Sequence, residues 1–357
     1  MSLAVTVLKN SAVLLLFLLF ISCGTKNKEY ANNVFPYSQF PQEKELKGEV
    51  IELDTALFRY PFRIRIEGDK AIVLDLHGSD YYGHLFQYPS FRYLSSFGRR
   101  GDSPLEMLSM ENFRLHNHTL WTLDANKSEL TRLDFSSSGD SLLREETVAL
   151  DEDILRPLDF AIYNDTTFVI PDYSGESRFL KVDCKGKLIE KIGTIPTTNK
   201  KALQEARPAL AQAWRSFLDY NSHNSVLATV TQLGEVVEIY NLKDSTHVIR
   251  VGEYDEPEFK VSDGYGIPTG IMGFSDVQVT DDAIYAVFHG TSFKDIARQS
   301  GRLSDGGKYI YVFSLKGEPL CKYVLDHYIY GIWVDEVTKT IMATDVNNDQ
   351  PILKFSF

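Results

Sequence analysis

From about residue 60 onward, short runs of alternating apolar and polar residues are broken by clusters of Gly, Asp, Asn and Ser. A period of two with such punctuation predicts β-strands joined by tight turns. The runs recur. "AIVLD", "LWTLD", "FVIPD", "VLATVTQ", "IYAVFH" and "IMATD" each begin a similar unit and end in Asp75, Asp124, Asp172, Gln232, His289 and Asp345, spaced 49, 48, 60, 57 and 56 residues apart. After each comes a turn and a second alternating strand. In four units a polar turn such as Gly139-Asp140 or Lys185-Gly186 then introduces a third. A strand ahead of each unit, as in "FRIRI" (62–66) or "DVQV" (276–279), makes four.

Repeats of this length built from four antiparallel strands predict an all-β, six-bladed β-propeller, which shields sheet edges by radial repetition. The sixth unit ends at "ILKFSF", one strand short, and the surplus N-terminal strand "GEVIEL" (48–53) is expected to close that last blade. An open solenoid would instead carry polar capping repeats at both ends. One helical insertion is expected at about 200–218. There Leu203, Ala206, Leu210, Ala213 and Phe217 recur at helical steps, and Pro208 is expected to kink or restart the helix.

The first residues have a different pattern. Lys9 precedes an apolar run too short to span a bilayer, which reads as a secretory signal over 1–22. "FISC" resembles a bacterial lipobox with Cys23 as the lipid-attachment residue, although Phe20 stands where an aliphatic residue is usual. Residues 23–47 read as a polar tether and 48–357 as the propeller. Cys184 and Cys321 are too few and too far apart for a disulfide framework, and no Cys/His cluster signals zinc. The net charge of −12 argues against nucleic acid as a partner. Membrane association is expected through the lipid alone.

Because strands alternate in direction, blade-to-blade connectors share a face with the turns between second and third strands. The three longest excursions, 195–222, 253–275 and 290–307, all belong to that face, and long loops in compact domains tend to carry function. So does "FGRRGDSPLEM" (97–107), which contains Arg100-Gly101-Asp102 and resembles an integrin-binding peptide. Its glycines and proline equally suit a turn. Arg99 and Arg100 together could grip a carboxylate or sulfate, with Glu106 and His289 on the same rim. The recurring Asp75, Asp124, Asp172 and Asp345 read as turn caps more readily than as cation ligands. His116 and His118 ("RLHNH") are two apart on an expected inner strand, a placement that would point both into the channel.

The mature chain resembles the lipid-anchored six-bladed β-propeller proteins of Bacteroides-type bacteria, related to TolB-like and NHL-like propellers. Gly98, Arg99, Gly101, Ser103, Pro104, Glu106 and Met107 fit that family's inter-blade motif, and Leu105 stands where it commonly has glycine. The resemblance implies an exported propeller and no catalytic residues or cofactor. The expected function is a binding or scaffold module in the cell envelope, anchored to the outer membrane, and Lys26 and Lys28 ahead of the first acid, Glu29, favour the periplasmic face over the cell surface. Its partner, a glycan, peptide or protein, would sit on the loop-rich face. The alternatives are a metal-dependent propeller hydrolase or lyase using His116 and His118 with channel carboxylates, and RGD-type host adhesion.

Overall fold

Three short strands open the described chain: β1 (Val34–Pro36), β2 (Glu43–Leu46) and β3 (Glu49–Ile51). The computed structural model describes residues 31–54, 58–298 and 304–357. Five four-stranded meanders and a sixth of three strands follow, each with its strands paired in chain order. Blade 1 comprises β4 (Pro61–Glu67), β5 (Lys70–Asp75), β6 (Tyr81–Gln87) and β7 (Arg92–Arg99). Blade 2 comprises β8 (Met110–His116), β9 (Thr119–Asp124), β10 (Glu129–Phe135) and β11 (Leu142–Ala149), and blade 3 comprises β12 (Ala161–Asn164), β13 (Thr167–Pro171), β14 (Phe179–Asp183) and β15 (Leu188–Ile192). Blade 4 comprises β16 (Ser216–Asn221), β17 (Val226–Thr231), β18 (Val236–Asn241) and β19 (Thr246–Val251). A hairpin, β20 (Phe259–Ser262) and β21 (Tyr265–Pro268), precedes blade 5, made of β22 (Phe274–Val279), β23 (Ala283–Phe288), β24 (Gly307–Ser314) and β25 (Pro319–Ile329). In blade 6, β26 (Ile332–Asp335), β27 (Thr340–Thr344) and β28 (Ile352–Ser356) are completed by β3, paired antiparallel as Ile51↔Ile352 and Glu49↔Lys354. The ring closes as the missing strand predicts.

The segment read as a tether is partly built into the fold. β1 adds in parallel to the outer edge of blade 4 and β2 to that of blade 5, so both sheets have five strands. Parallel pairing between residues about 200 to 280 positions apart leaves no local periodicity for a sequence reading to detect. The helical insertion is shorter than its period suggests. It consists of α1 (Lys200–Glu205), capped by Asn199, and α2 (Arg207–Ala213), with Pro208 in the first turn of α2 where a missing N–H costs nothing. Phe217, counted in the helical period, belongs to β16 and is buried at the axis. One further short helix, α3 (Phe293–Arg298), lies in the excursion after β23.

Apolar faces of neighbouring blades bury one another. Trp121 of blade 2, for example, meets Phe168 of blade 3 edge-on at 5.0 Å between ring centroids. Charge occupies the axis. On the innermost strands, Arg65 forks onto the Asp276 carboxylate with both nitrogens at 3.0 Å, and Arg63 also binds Asp276. Asp276 accepts the Ile332 N–H at 2.9 Å, and Arg65 donates to the Ile332 carbonyl at 2.7 Å, which joins blades 1, 5 and 6. On the other side Asp159 takes Arg114 at 2.7 Å, Asn112 at 2.6 Å and the Leu218 N–H at 3.0 Å, which joins blades 2, 3 and 4. Asp219 accepts the Val279 N–H at 2.8 Å and links blade 4 to blade 5.

Removing one partner of such a network leaves the others charged and buried without compensation. Asp276→Ala should therefore cost about 3–5 kcal/mol of stability, read as a lowered urea midpoint at neutral pH. Burial opposes ionisation of Asp276, but Arg63 and Arg65 hold its carboxyl below its ordinary range. The difference between the native protein and the variant is thus full at neutral pH and shrinks as the pH falls below the usual aspartate value.

Candidate functional site

The turn aspartates build the loop-rich rim. Asp75 accepts the N–H groups of Arg59 and Tyr60, at 2.8 and 2.7 Å, just before the inner strand of its own blade. Asp124 does the same with Leu108 and Ser109, and Asp172 and Asp345 cap their own turns. All four are buried and occupied by donors, as turn caps require. In blade 5 that place belongs to His289, which offers no carboxylate. There the connector is held by backbone pairing, with Met272 N–H on the Thr291 carbonyl and His289 N–H on that of Gly273, each 2.8–2.9 Å.

Beside His289 the rim opens into a cleft of about 690 Å³ between blades 4 and 5. Seven aromatic rings face it: Tyr37, Phe40, Tyr254, Phe288, Tyr309, Tyr311 and Tyr328. Tyr37 and Phe40 come from the stretch between β1 and β2, so the two added strands hold one wall in place. Phe288 stacks on Tyr311 at 4.7 Å, and Phe40 packs on Tyr311 at 4.7 Å, which makes the floor a fixed aromatic surface. Glu235 is only 3 % exposed and accepts Tyr37 Oη and the Tyr254 N–H, both at 3.0 Å. Burial, reinforced by neighbouring Glu253, pushes its carboxyl above the ordinary value. Lys322 lies 2.9 Å from Glu43 and 4.8 Å from the Tyr309 ring, and Lys308 lies 4.8 Å from that of Tyr328. Aromatic faces edged by carboxyl and ammonium groups suit a ligand with both apolar faces and hydrogen-bonding groups.

The other residues singled out by sequence are dispersed. Gly98, at φ 65°, turns the chain out of β7, and the two arginines after it part company. Arg99 is 70 % exposed on its side chain and lies 3.5 Å from Glu106 Oε1. Glu106 also accepts the Ser103 N–H, and Lys127 binds the carbonyls of Ser103 and Glu106, so this pair fastens the loop to blade 2. Arg100 folds inward, 3.9 Å above the Tyr82 ring, and donates to the Leu76 carbonyl. The expected two-arginine grip on one anion is therefore not formed. Arg100 and His289 border different hollows.

His116 ends β8 and His118 lies in the following turn, on the face opposite the long loops. Asn117 and His118 both have positive φ, which breaks the alternation that would have aligned the two rings. His116 pairs with Asp165 at 2.9 Å and His118 with Glu67 at 3.2 Å, and the His118 side chain is 87 % exposed. His116 borders a hollow at that mouth of the ring with Tyr220, His223 and Asp281 and His118 does not, and neither is paired with Asp159 or Asp276, whose oxygens already serve arginines. Among the described residues no group of three His, Cys, Asp or Glu gathers as a metal-ligating set, and Cys184 and Cys321 are free. Cys23 lies outside the described residues. No described helix is long and apolar enough to cross a membrane.

A family model described as "TolB-like 6-blade propeller-like" matches residues 39–337. The chain belongs to this TolB-like six-bladed propeller family. Its fold is similar to that of a Bacteroides fragilis protein described as exported, with a TM-score of 0.55, 12% identity, and 90% of this chain and 98% of that one covered. An auxiliary nutrient binding protein from Bacteroides ovatus matches at a TM-score of 0.52 and 10% identity over 84% of this chain and 70% of its own. A DUF4221 family member from Bacteroides vulgatus gives 0.52 and 10% over 87% and 95%. No curated protein matches the chain in sequence. At these identities the likeness is one of fold.

Within this family fold, the cleft aromatics carry no sequence signal of their own, because Tyr and Phe also fill the spaces between blades. His289 does carry one, as one of two exceptions, with Gln232, in a series of turn aspartates. The residue is 9 % exposed, its ring stands edge-on to Tyr330 at 5.3 Å, and Nε2 has no partner among the described residues. Burial lowers its pKa to about 4 although Asp305 pulls the other way. Below pH 6.5 the unfolded chain takes up a proton that the native one refuses until about pH 4, so stability falls as pH drops through that window, by roughly 3 kcal/mol for a shift of this size. His289→Gln should remove that part of the acid dependence, read by urea unfolding at a series of pH values.

Proposed function

We propose that this protein is an exported, lipid-anchored binding module that holds a glycan or peptide segment in the cleft between blades 4 and 5. The cleft carries the reading: seven aromatic rings and both signs of charge meet in one hollow, on the face where the long loops gather. Carbohydrate rings and peptide side chains both present apolar faces flanked by hydrogen-bonding groups, which such a surface complements. An exported protein and a nutrient binding protein among the folds similar to this one agree with that role. The lipobox-like "FISC" supports attachment through lipid on Cys23, and Lys26 and Lys28 ahead of the first acid, Glu29, favour a periplasm-facing propeller over a surface-exposed one. The hydrolase or lyase alternative loses its donor set, since His116 and His118 lie on the opposite face and the axial carboxylates are bound to arginines. Host adhesion loses its arginine, because Arg100 is folded onto Tyr82 and of the two charged residues only Asp102 stands exposed.

Calorimetric titration against panels of oligosaccharides and peptides tests the cleft. Tyr254 is 48% exposed on the cleft rim, so Tyr254→Ala should leave the unfolding midpoint unchanged and weaken the bound ligand about tenfold. Unchanged affinity would move the site elsewhere. Metabolic labelling with palmitate in the native host should mark the protein and should fail for Cys23→Ala.

A further inference from the structure

At the axis, on the same face as the cleft, a second hollow of about 410 Å³ opens above the buried charge network. Its walls are aromatic, with Tyr60, Tyr82 and Tyr330 among them, and two arginines reach it from opposite sides of the ring: Arg100 at the end of blade 1 and Arg215 just before blade 4. Neither guanidinium is used up. Among the described residues Arg100 has one acceptor, the Leu76 carbonyl, and its buried Nε has no partner. Arg215 has one loose ion pair, 3.6 Å from Glu111. Among the described residues Glu111 is the one carboxylate lining the hollow, and it also accepts the Ser109 hydroxyl at 2.7 Å. Beneath the floor residue Phe62, fully buried Arg63, paired with Asp276 through Nη1, stacks 4.8 Å from its ring, and its Nε and Nη2 have no partner among the described residues. Asp305 at the edge accepts the Tyr60 hydroxyl. In a protein of net charge −12, the described lining of this hollow carries two arginines against the one carboxylate of Glu111.

We infer that the axial hollow is a binding site for a carboxylate, held between the Arg100 and Arg215 guanidinium groups with the body of the ligand against the tyrosine rings. A guanidinium fork matches a carboxylate with two parallel donors, and Arg100 is already oriented by its stacking on Tyr82. The volume fits a sugar acid or the C-terminal end of a peptide. The site is separate from the blade 4–5 cleft, so either can fail without the other.

The test is titration of the full chain with D-glucuronate and with acetyl-Ala-Ala, each beside its neutral counterpart, D-glucose and acetyl-alanyl-alaninamide. Binding of either acid with a Kd below about 1 mM, at least tenfold tighter than its neutral counterpart, is the expected result, and which acid binds tells the sugar source from the peptide source. Added salt should weaken it, Arg215→Gln should lower the affinity at least tenfold, and Tyr254→Ala in the cleft should not change it. Arg215 is half-buried with one loose pair, so its variant should keep the wild-type unfolding midpoint; Arg100→Gln provides a second reading. The inference is overturned if neither acid binds, if acid and neutral forms bind alike, or if binding survives both arginine variants.

Discussion

The fork between Arg65 and Asp276 is the contact on which the closed ring depends. Asp276 sits on the inner strand of blade 5, receives two arginines from blade 1 and takes the backbone N–H of Ile332 at the start of blade 6. The junction of the last blade with the first is therefore written at the axis in charge as well as at the rim by β3. Taking these ions out of water is costly, and only paired geometry with further hydrogen bonds offsets it. Arg65 meets that demand by spending its donors on the Ile64 and Ile332 carbonyls as well as on Asp276. Asp159 plays the same part across blades 2, 3 and 4. Such contacts choose among arrangements: a ring with one blade more or fewer would separate these partners and leave charges buried alone.

That solution shapes what the loop-rich face can offer. With the axis filled by ion pairs, the channel is not a conduit, and the hollows lie above it and beside it. The axial one takes its arginines, Arg100 and Arg215, from its own rim, because those below are already paired with Asp276 and Asp159. The lateral one arises where the turn aspartate is replaced by His289 and where the stretch between β1 and β2 adds Tyr37 and Phe40 as a wall. Both depend on elements that a regular blade lacks. Burial next to the cleft raises the Glu235 pKa and lowers that of His289, so each stays uncharged over a wider pH range than usual.

Much of the architecture was legible along the chain because a meander is local. Each strand pairs with its sequence neighbour, so periodicity, turn residues and spacing carry nearly all the information that a blade requires. The closing strand was legible for a related reason, since a unit one strand short needs a donor. The added strands β1 and β2 were not, because three or four residues paired in parallel with distant partners leave no periodic trace. His116 and His118 misled for a similar reason: two residues of positive φ at Asn117 and His118 end the strand where its pattern seems to continue. Phe217 extends a helical period by coincidence and belongs to a strand.

The sequence by itself determined that this is a six-bladed ring with its long loops on one face, because hydrophobic period, turn chemistry and strand alternation are properties of neighbouring residues. Tertiary structure alone decided where a ligand can lie. It sent Arg99 outward to Glu106 and Arg100 inward over Tyr82, across the axis from Arg215. It also assembled a cleft from residues as distant as Tyr37 and Tyr328. Such juxtapositions are set by the closure of the ring, which brings together side chains whose separation along the chain says nothing about their separation in space.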